Sequence, residues 1–137
     1  MYPSDIVMPM KEQLTHNGFE DLTTAEAVDE AMKKEGTTLV MVNSVCGCAA
    51  GAARPGVLLS LDAEKTPDNL TTVFAGFDID ATKRVREYLA PFPPSSPAVA
   101  LFKNGELVHM LERHHIEGHS AQTIAENLKE AYAEFVS

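Results

Sequence analysis

The apolar positions change period several times along the chain, and each change predicts an element. Ile6, Met10 and Leu14 recur every fourth residue around Pro9, a proline tolerated in a first helical turn, and His16-Asn17-Gly18 supplies a stop. Thr23, with Glu26 three residues on, reads as a capping box for a second helix. Its stripe is Ala27, Val28, Ala31 and Met32, and it ends at Lys33-Lys34-Glu35-Gly36. Two helices are thus predicted before any strand. The period then disappears: Thr38-Leu39-Val40-Met41-Val42 is a continuous apolar run, too short for a helix, and suits a strand covered on both faces. It runs into Asn43-Ser44-Val45-Cys46-Gly47-Cys48, after which Ala49 to Ala53 and Val57-Leu58-Leu59 read as a helix kinked at Pro55.

Thr71 to Phe77 predicts the next strand, and Asp80 caps a helix carrying Val85, Tyr88 and Leu89. Pro91, Pro93, Pro94 and Pro97 punctuate a loop before Ala98-Val99-Ala100-Leu101-Phe102, and Asn104-Gly105 joins that run to Leu107–Leu111 as a hairpin. Ser120 caps a last helix with Ile124, Ala125, Leu128, Ala131, Tyr132 and Phe135 on one face. The predicted order is α-α-β-α-β-α-β-β-α. Strand, helix and strand form the crossover of a parallel sheet, and the terminal hairpin makes the sheet mixed.

Length and charge narrow the function. The 137 residues suit one domain spanning 1–137, 45% hydrophobic and 23% charged, which excludes disordered and collagen-like classes. A net charge of −9 with no run of Lys or Arg disfavours nucleic acid and anionic membranes as partners, leaving proteins and small molecules. Gly36 to Ala53 approaches the length of a bilayer span, but its Thr37, Thr38, Asn43, Ser44 and glycines fit a strand and turn, so no membrane span is expected. The start of the chain shows no basic segment leading into an apolar one, so a cytoplasmic location is expected.

Cysteine placement carries the chemistry. The two cysteines, Cys46 and Cys48, flank a single glycine at the predicted strand-to-helix junction, so they cannot form a long-loop stabilising disulfide. A thiol of pKa near 8.5 is about 3% thiolate at pH 7, and one shifted to ~6.5 is roughly three-quarters thiolate. A helix N-terminus favours the anion, and from Gly36 to Leu61 there is no Asp or Glu and one formal charge, Arg54. Cys46 is therefore the candidate nucleophile. Positions i and i+2 of a helix face nearly opposite sides, so a bond between the two sulfurs requires Cys46 to lie outside the helix, with Gly47 supplying backbone freedom. Such a small ring is expected to be strained and readily reduced. Two other readings stand beside this one: a pair of inert buried thiols, and a zinc or iron–sulfur module completed by His114, His115 or His119. The spacing of the histidines around Gly118 places them in a loop.

From Leu70 onward the chain resembles thioredoxin. Phe77-Asp78-Ile79-Asp80 ends a strand and opens a helix, Ser96-Pro97-Ala98-Val99 occupies the place of thioredoxin's cis-proline, and Leu101-Phe102-Lys103-Asn104-Gly105-Glu106 resembles its hairpin. The departures are C-G-C in place of C-x-x-C and the lack of a preceding Trp. With Asn43 to Ala49 and Arg54-Pro55, they resemble the bacilliredoxin family over nearly the whole chain.

That resemblance implies a thioredoxin-like α/β fold, a central mixed β-sheet flanked by helices with two extra N-terminal helices. It implies an enzyme that needs no cofactor and exchanges disulfides with proteins carrying bacillithiol, a low-molecular-weight thiol with a sugar and a malate unit. Cys46 attacks, Cys48 resolves or assists, and protein disulfide isomerase activity is an alternative. Pro97 is expected to be cis, with the Ser96 backbone pairing with an extended substrate segment beside Gly47. Arg54 is a candidate contact for a malate carboxylate. Phe92, among the prolines, is either an exposed patch near the site or covered core.

Overall fold

The computed structural model describes residues 1–137. Its elements are α1 (Ser4–Thr15), β1 (Glu20–Asp21), α2 (Ala25–Met32), β2 (Thr37–Asn43), a π-helical turn (Ala49–Ala53), α3 (Arg54–Ser60), β3 (Asn69–Phe74), α4 (Ile79–Leu89), β4 (Ala98–Lys103), β5 (Glu106–Leu111), α5 (Arg113–Ile116) and α6 (Ala121–Phe135). The five strands form one sheet in the order β1-β3-β2-β4-β5. β1 and β2 run parallel to β3, whereas β4 is antiparallel to both β2 and β5.

The continuous apolar run has the role its pattern predicts. β2 is the central strand, and every residue from Thr37 to Asn43 is buried. Alternation then sorts its side chains. Leu39 and Met41 join Val99, Leu101, Val57, Ile124 and Leu128 in a core on one face of the sheet, under α3 and α6. Val40 and Val42 join Val73, Ala100, Val28, Ala31 and Val85 in a second core on the other face, under α2 and α4. Gly56 allows the close approach of α3 to α6, because a Cβ there would lie 2.8 Å from Ile124. The hairpin is as predicted: Asn104 and Gly105 both take positive φ, 50° and 82°, as a two-residue turn matched to strand twist requires.

Several boundaries differ from the pattern-based expectations. The two helices do not precede every strand, since β1 lies between them and pairs Glu20 with Thr71 and Asp21 with Thr72. Thr24, not Thr23, caps α2 by accepting a bond from the Ala27 N–H at 3.0 Å. α1 begins at Ser4 after Pro3, so Pro9 is interior and not in the first turn. β3 stops at Phe74, and Asp78 rather than Asp80 stands at the start of α4, where its Oδ2 lies 3.3 Å from the Phe74 N–H. The helix around Pro55 has no simple kink there. A π turn precedes it, with the Arg54 N–H donating to the Ala49 carbonyl, and Pro55 falls in the first turn of α3. His115, expected with His119 in a loop, lies with His114 in the short helix α5, whereas His119 follows it outside any helix or strand.

Candidate active site

The register of the sheet gathers the candidate residues at one end. Val42 is opposite Ala98, so the turn after β2, carrying Cys46, and the segment before β4, carrying Pro97, leave adjacent strands at the same edge. Leu111 pairs with Val99, which brings α5 to that edge as well. There the Arg113 N–H donates to Ser95 Oγ at 3.3 Å, and the Arg113 guanidinium donates to the Ser96 carbonyl at 3.3 Å. The Ser96–Pro97 peptide is cis, and so is Ala90–Pro91, which the sequence pattern does not single out.

Cys46 and Cys48 are joined by a disulfide, their Cα atoms 5.5 Å apart. The Cys46 carbonyl accepts the first helical bonds, from Ala49 N at 3.0 Å and Ala50 N at 3.3 Å, so Cys46 itself stands just outside the helix. Gly47 and Cys48 already lie in the first turn. Gly47 does not use a left-handed conformation. It is exposed, with nothing within 4 Å of where a Cβ would be, and so leaves space beside the sulfurs. Both cysteines are half-buried, and Cys48 packs against the α3–α6 core.

A polar network supports this turn from behind. The Cys46 N–H donates to Ser44 Oγ at 3.1 Å, the Ser44 N–H donates to Asn43 Oδ1 at 2.8 Å, and Asn43 Nδ2 donates to the Met10 carbonyl at 3.2 Å. Arg54, expected to face a ligand, is turned inward. It is 1% exposed, its Nε donates to Gln13 Oε1 at 2.8 Å, and its Nη1 donates to Asn43 Oδ1 at 2.9 Å and to the Ser44 carbonyl at 2.8 Å. Burial holds its pKa below the ordinary arginine value. Gln13, Asn43 and Ser44 thus support the turn; pattern reading passes over Gln13 and quotes Asn43 and Ser44 only within the segment that carries the resemblance, without a role. The one available signal is a solitary charge inside an apolar, carboxylate-free stretch.

The metal reading finds a poor donor set. Glu112, His114 and His115 offer ligand atoms within 4.8 Å of one another. His115 Nδ1, however, accepts the Glu112 N–H at 3.0 Å, which places the proton of the neutral ring on Nε2, while His114 Nε2 lies 2.8 Å from Glu112 Oε2. Glu112 and His115 cap the start of α5. No helix is long and apolar enough to cross a membrane.

Comparison with known proteins places the chain in a family. Residues 2–136 match a family model described as disulphide isomerase. A bacilliredoxin from Cytophaga hutchinsonii is 59% identical over 134 residues, covering 98% of this chain and 99% of that protein. A bacilliredoxin from Halalkalibacterium halodurans is 53% identical, covering 97% and 93%. The chain belongs to the bacilliredoxin family. Among solved structures, oxidised thioredoxin from Plasmodium falciparum aligns with a TM-score of 0.58 at 18% identity, covering 84% of this chain and 98% of that one. Mitochondrial thioredoxin 3 from Saccharomyces cerevisiae aligns with a TM-score of 0.58 at 15% identity, covering 88% and 98%. At these identities the likeness shows the fold, which is thioredoxin-like. With its C-G-C pair, this bacilliredoxin-family chain is a thiol–disulfide oxidoreductase.

Proposed function

We propose that the protein removes a low-molecular-weight thiol, bacillithiol or one like it, from mixed disulfides on proteins of a reducing cytoplasm, with Cys46 as the attacking group. The observation that carries this reading is the placement of the pair: Cys46 stands outside the helix beside the open Gly47, whereas Cys48, equally part-buried, sits in the first turn against the core. The Cys46 thiolate attacks the small-thiol sulfur, forming a Cys46 mixed disulfide and expelling the client's cysteine as thiolate. The Cys48 thiolate then attacks Cys46 Sγ, expels the small thiol and closes the Cys46–Cys48 disulfide, which is the state of the structure. An external thiol returns the pair to the dithiol, and no cofactor enters these steps. The Ser96–Pro97 backbone, leaving the sheet at the same edge, supports an extended client segment once the exposed Arg113 releases the Ser96 carbonyl.

The matched family description favours a second activity, reshuffling of non-native protein disulfides, in which Cys48 releases a trapped client. Two assays separate the activities: release of bacillithiol from a model protein and refolding of a scrambled substrate. Cys46→Ser is expected to abolish both. Cys48→Ser is expected to keep a single round of thiol removal and lose refolding. Retention of thiol removal by Cys46→Ser overturns the reading.

A further inference from the structure

Arg54 is buried without a counter-charge. No carboxylate lies within ion-pairing distance of its guanidinium, and its three bonds go to neutral oxygens on Gln13, Asn43 and Ser44. A well-packed apolar side chain of that volume would escape the desolvation cost, so a bare cation here is costly for stability alone. Its bonds instead lead to the dithiol. Asn43 Oδ1 accepts both the guanidinium and the Ser44 N–H, and Ser44 Oγ accepts the Cys46 N–H, so the guanidinium braces Asn43 and Ser44 directly and Cys46 through Ser44.

The other charges around the turn are spoken for or turned away. On α1, Lys11 lies 2.9 Å from both Asp21 and Asp78, and Glu12 is half exposed, 3.6 Å from His16. α6 packs against the π turn through Ile124 and Leu128, with Glu126 and Glu130 exposed and Lys129 half-buried. At the Pro97 edge, Arg113 pairs with Glu117, and Glu112 pairs with His114.

We propose that Arg54 is the positioning residue of the dithiol, bracing the Asn43–Ser44 turn from behind and keeping an uncompensated positive charge that favours the Cys46 thiolate. This rests on Cys46 being the attacking thiol.

The test uses reduced full-length protein in a Cys48→Ser background, where Cys46 is the lone thiol, and follows its alkylation rate against pH. Arg54→Met is expected to raise the midpoint, because removing a positive charge behind the turn disfavours the thiolate. Gln13→Glu sets a carboxylate against Nε and neutralises the guanidinium without removing it. It is expected to raise the midpoint as well, while thermal stability stays at or above that of the parent. A midpoint unchanged in Gln13→Glu, and in Arg54→Met if that variant folds, overturns the proposal. A parent midpoint above about 8.5, the free-thiol value, overturns instead the reading of Cys46 as an activated nucleophile, whatever the variants do.

Discussion

Two cations are buried at the active-site end of this fold, and their surroundings are opposite. Lys11 is 3% exposed, lies 2.9 Å from carboxylate oxygens of both Asp21 and Asp78, and sits 5.0 Å from the centre of the Phe77 ring. Arg54 is 1% exposed and meets only neutral oxygens. Burial pulls down the pKa of both. For Lys11 the bonds to Asp78 and Asp21 outweigh that pull and leave its pKa raised, whereas nothing offsets it at Arg54. A neutralised cation joins elements: Lys11 ties α1 to β1 and to the start of α4. A bare cation acts on its neighbours, and the neighbour of Arg54 is the turn that presents Cys46.

The contrast breaks most visibly at Lys11. Lys11→Met leaves two carboxylates facing each other with Asp78 buried, and is expected to cost about 3–5 kcal/mol in urea unfolding. The Cys46 alkylation midpoint should stay where it is. A midpoint that moves as far as in Arg54→Met would erase the distinction between the two cations. Asp78→Asn removes one of two counter-charges and keeps the other, so a smaller loss of about 1–3 kcal/mol is expected, again with the midpoint unmoved.

High pH sharpens the comparison without mutation. Lys11 has a raised pKa, and burial pushes the Tyr132 phenol up to about 12, against a single bond from Ser60 that pulls it down. Both groups hold their protons longer folded than unfolded. Their stabilising contribution is therefore complete below about pH 10, where the unfolded groups begin to titrate, and is lost as the pH rises towards 12. Arg54, with its lowered pKa, contributes in the opposite sense. The unfolding free energy should fall steadily above pH 10, and less steeply in Lys11→Met. A rise across that window would contradict the assignment. The smallest effect is expected at a site touching neither cation. Thr24→Ala removes the α2 cap at a cost of about 1 kcal/mol and leaves the alkylation profile unchanged.

What the sequence shows of all this follows the range of the forces involved. The β2 run, the Asn104-Gly105 hairpin and the C-G-C junction are written in adjacent residues, and each is found where the pattern puts it. β1 is not legible, because Glu20 and Asp21 carry no apolar pattern and become a strand only by pairing with Thr71 and Thr72. The π turn lies in an Ala/Gly tract, where no side chain marks a change of helical pitch. The role of Arg54 is hidden for another reason. Its partners Gln13 and Asn43 lie 41 and 11 residues away, so an inward-facing guanidinium cannot be told from a ligand-facing one until α1 is packed across the end of β2.

The central claim is that Cys46 receives the small thiol. Its most direct test is the mass of the Cys48→Ser protein after one turnover with a bacillithiol-modified client. The expected result is one bacillithiol on the peptide containing Cys46 and a client returned with a free cysteine. A client stripped of its thiol while Cys46 remains unmodified, or a client trapped on Cys46 with the small thiol released to solution, would contradict it.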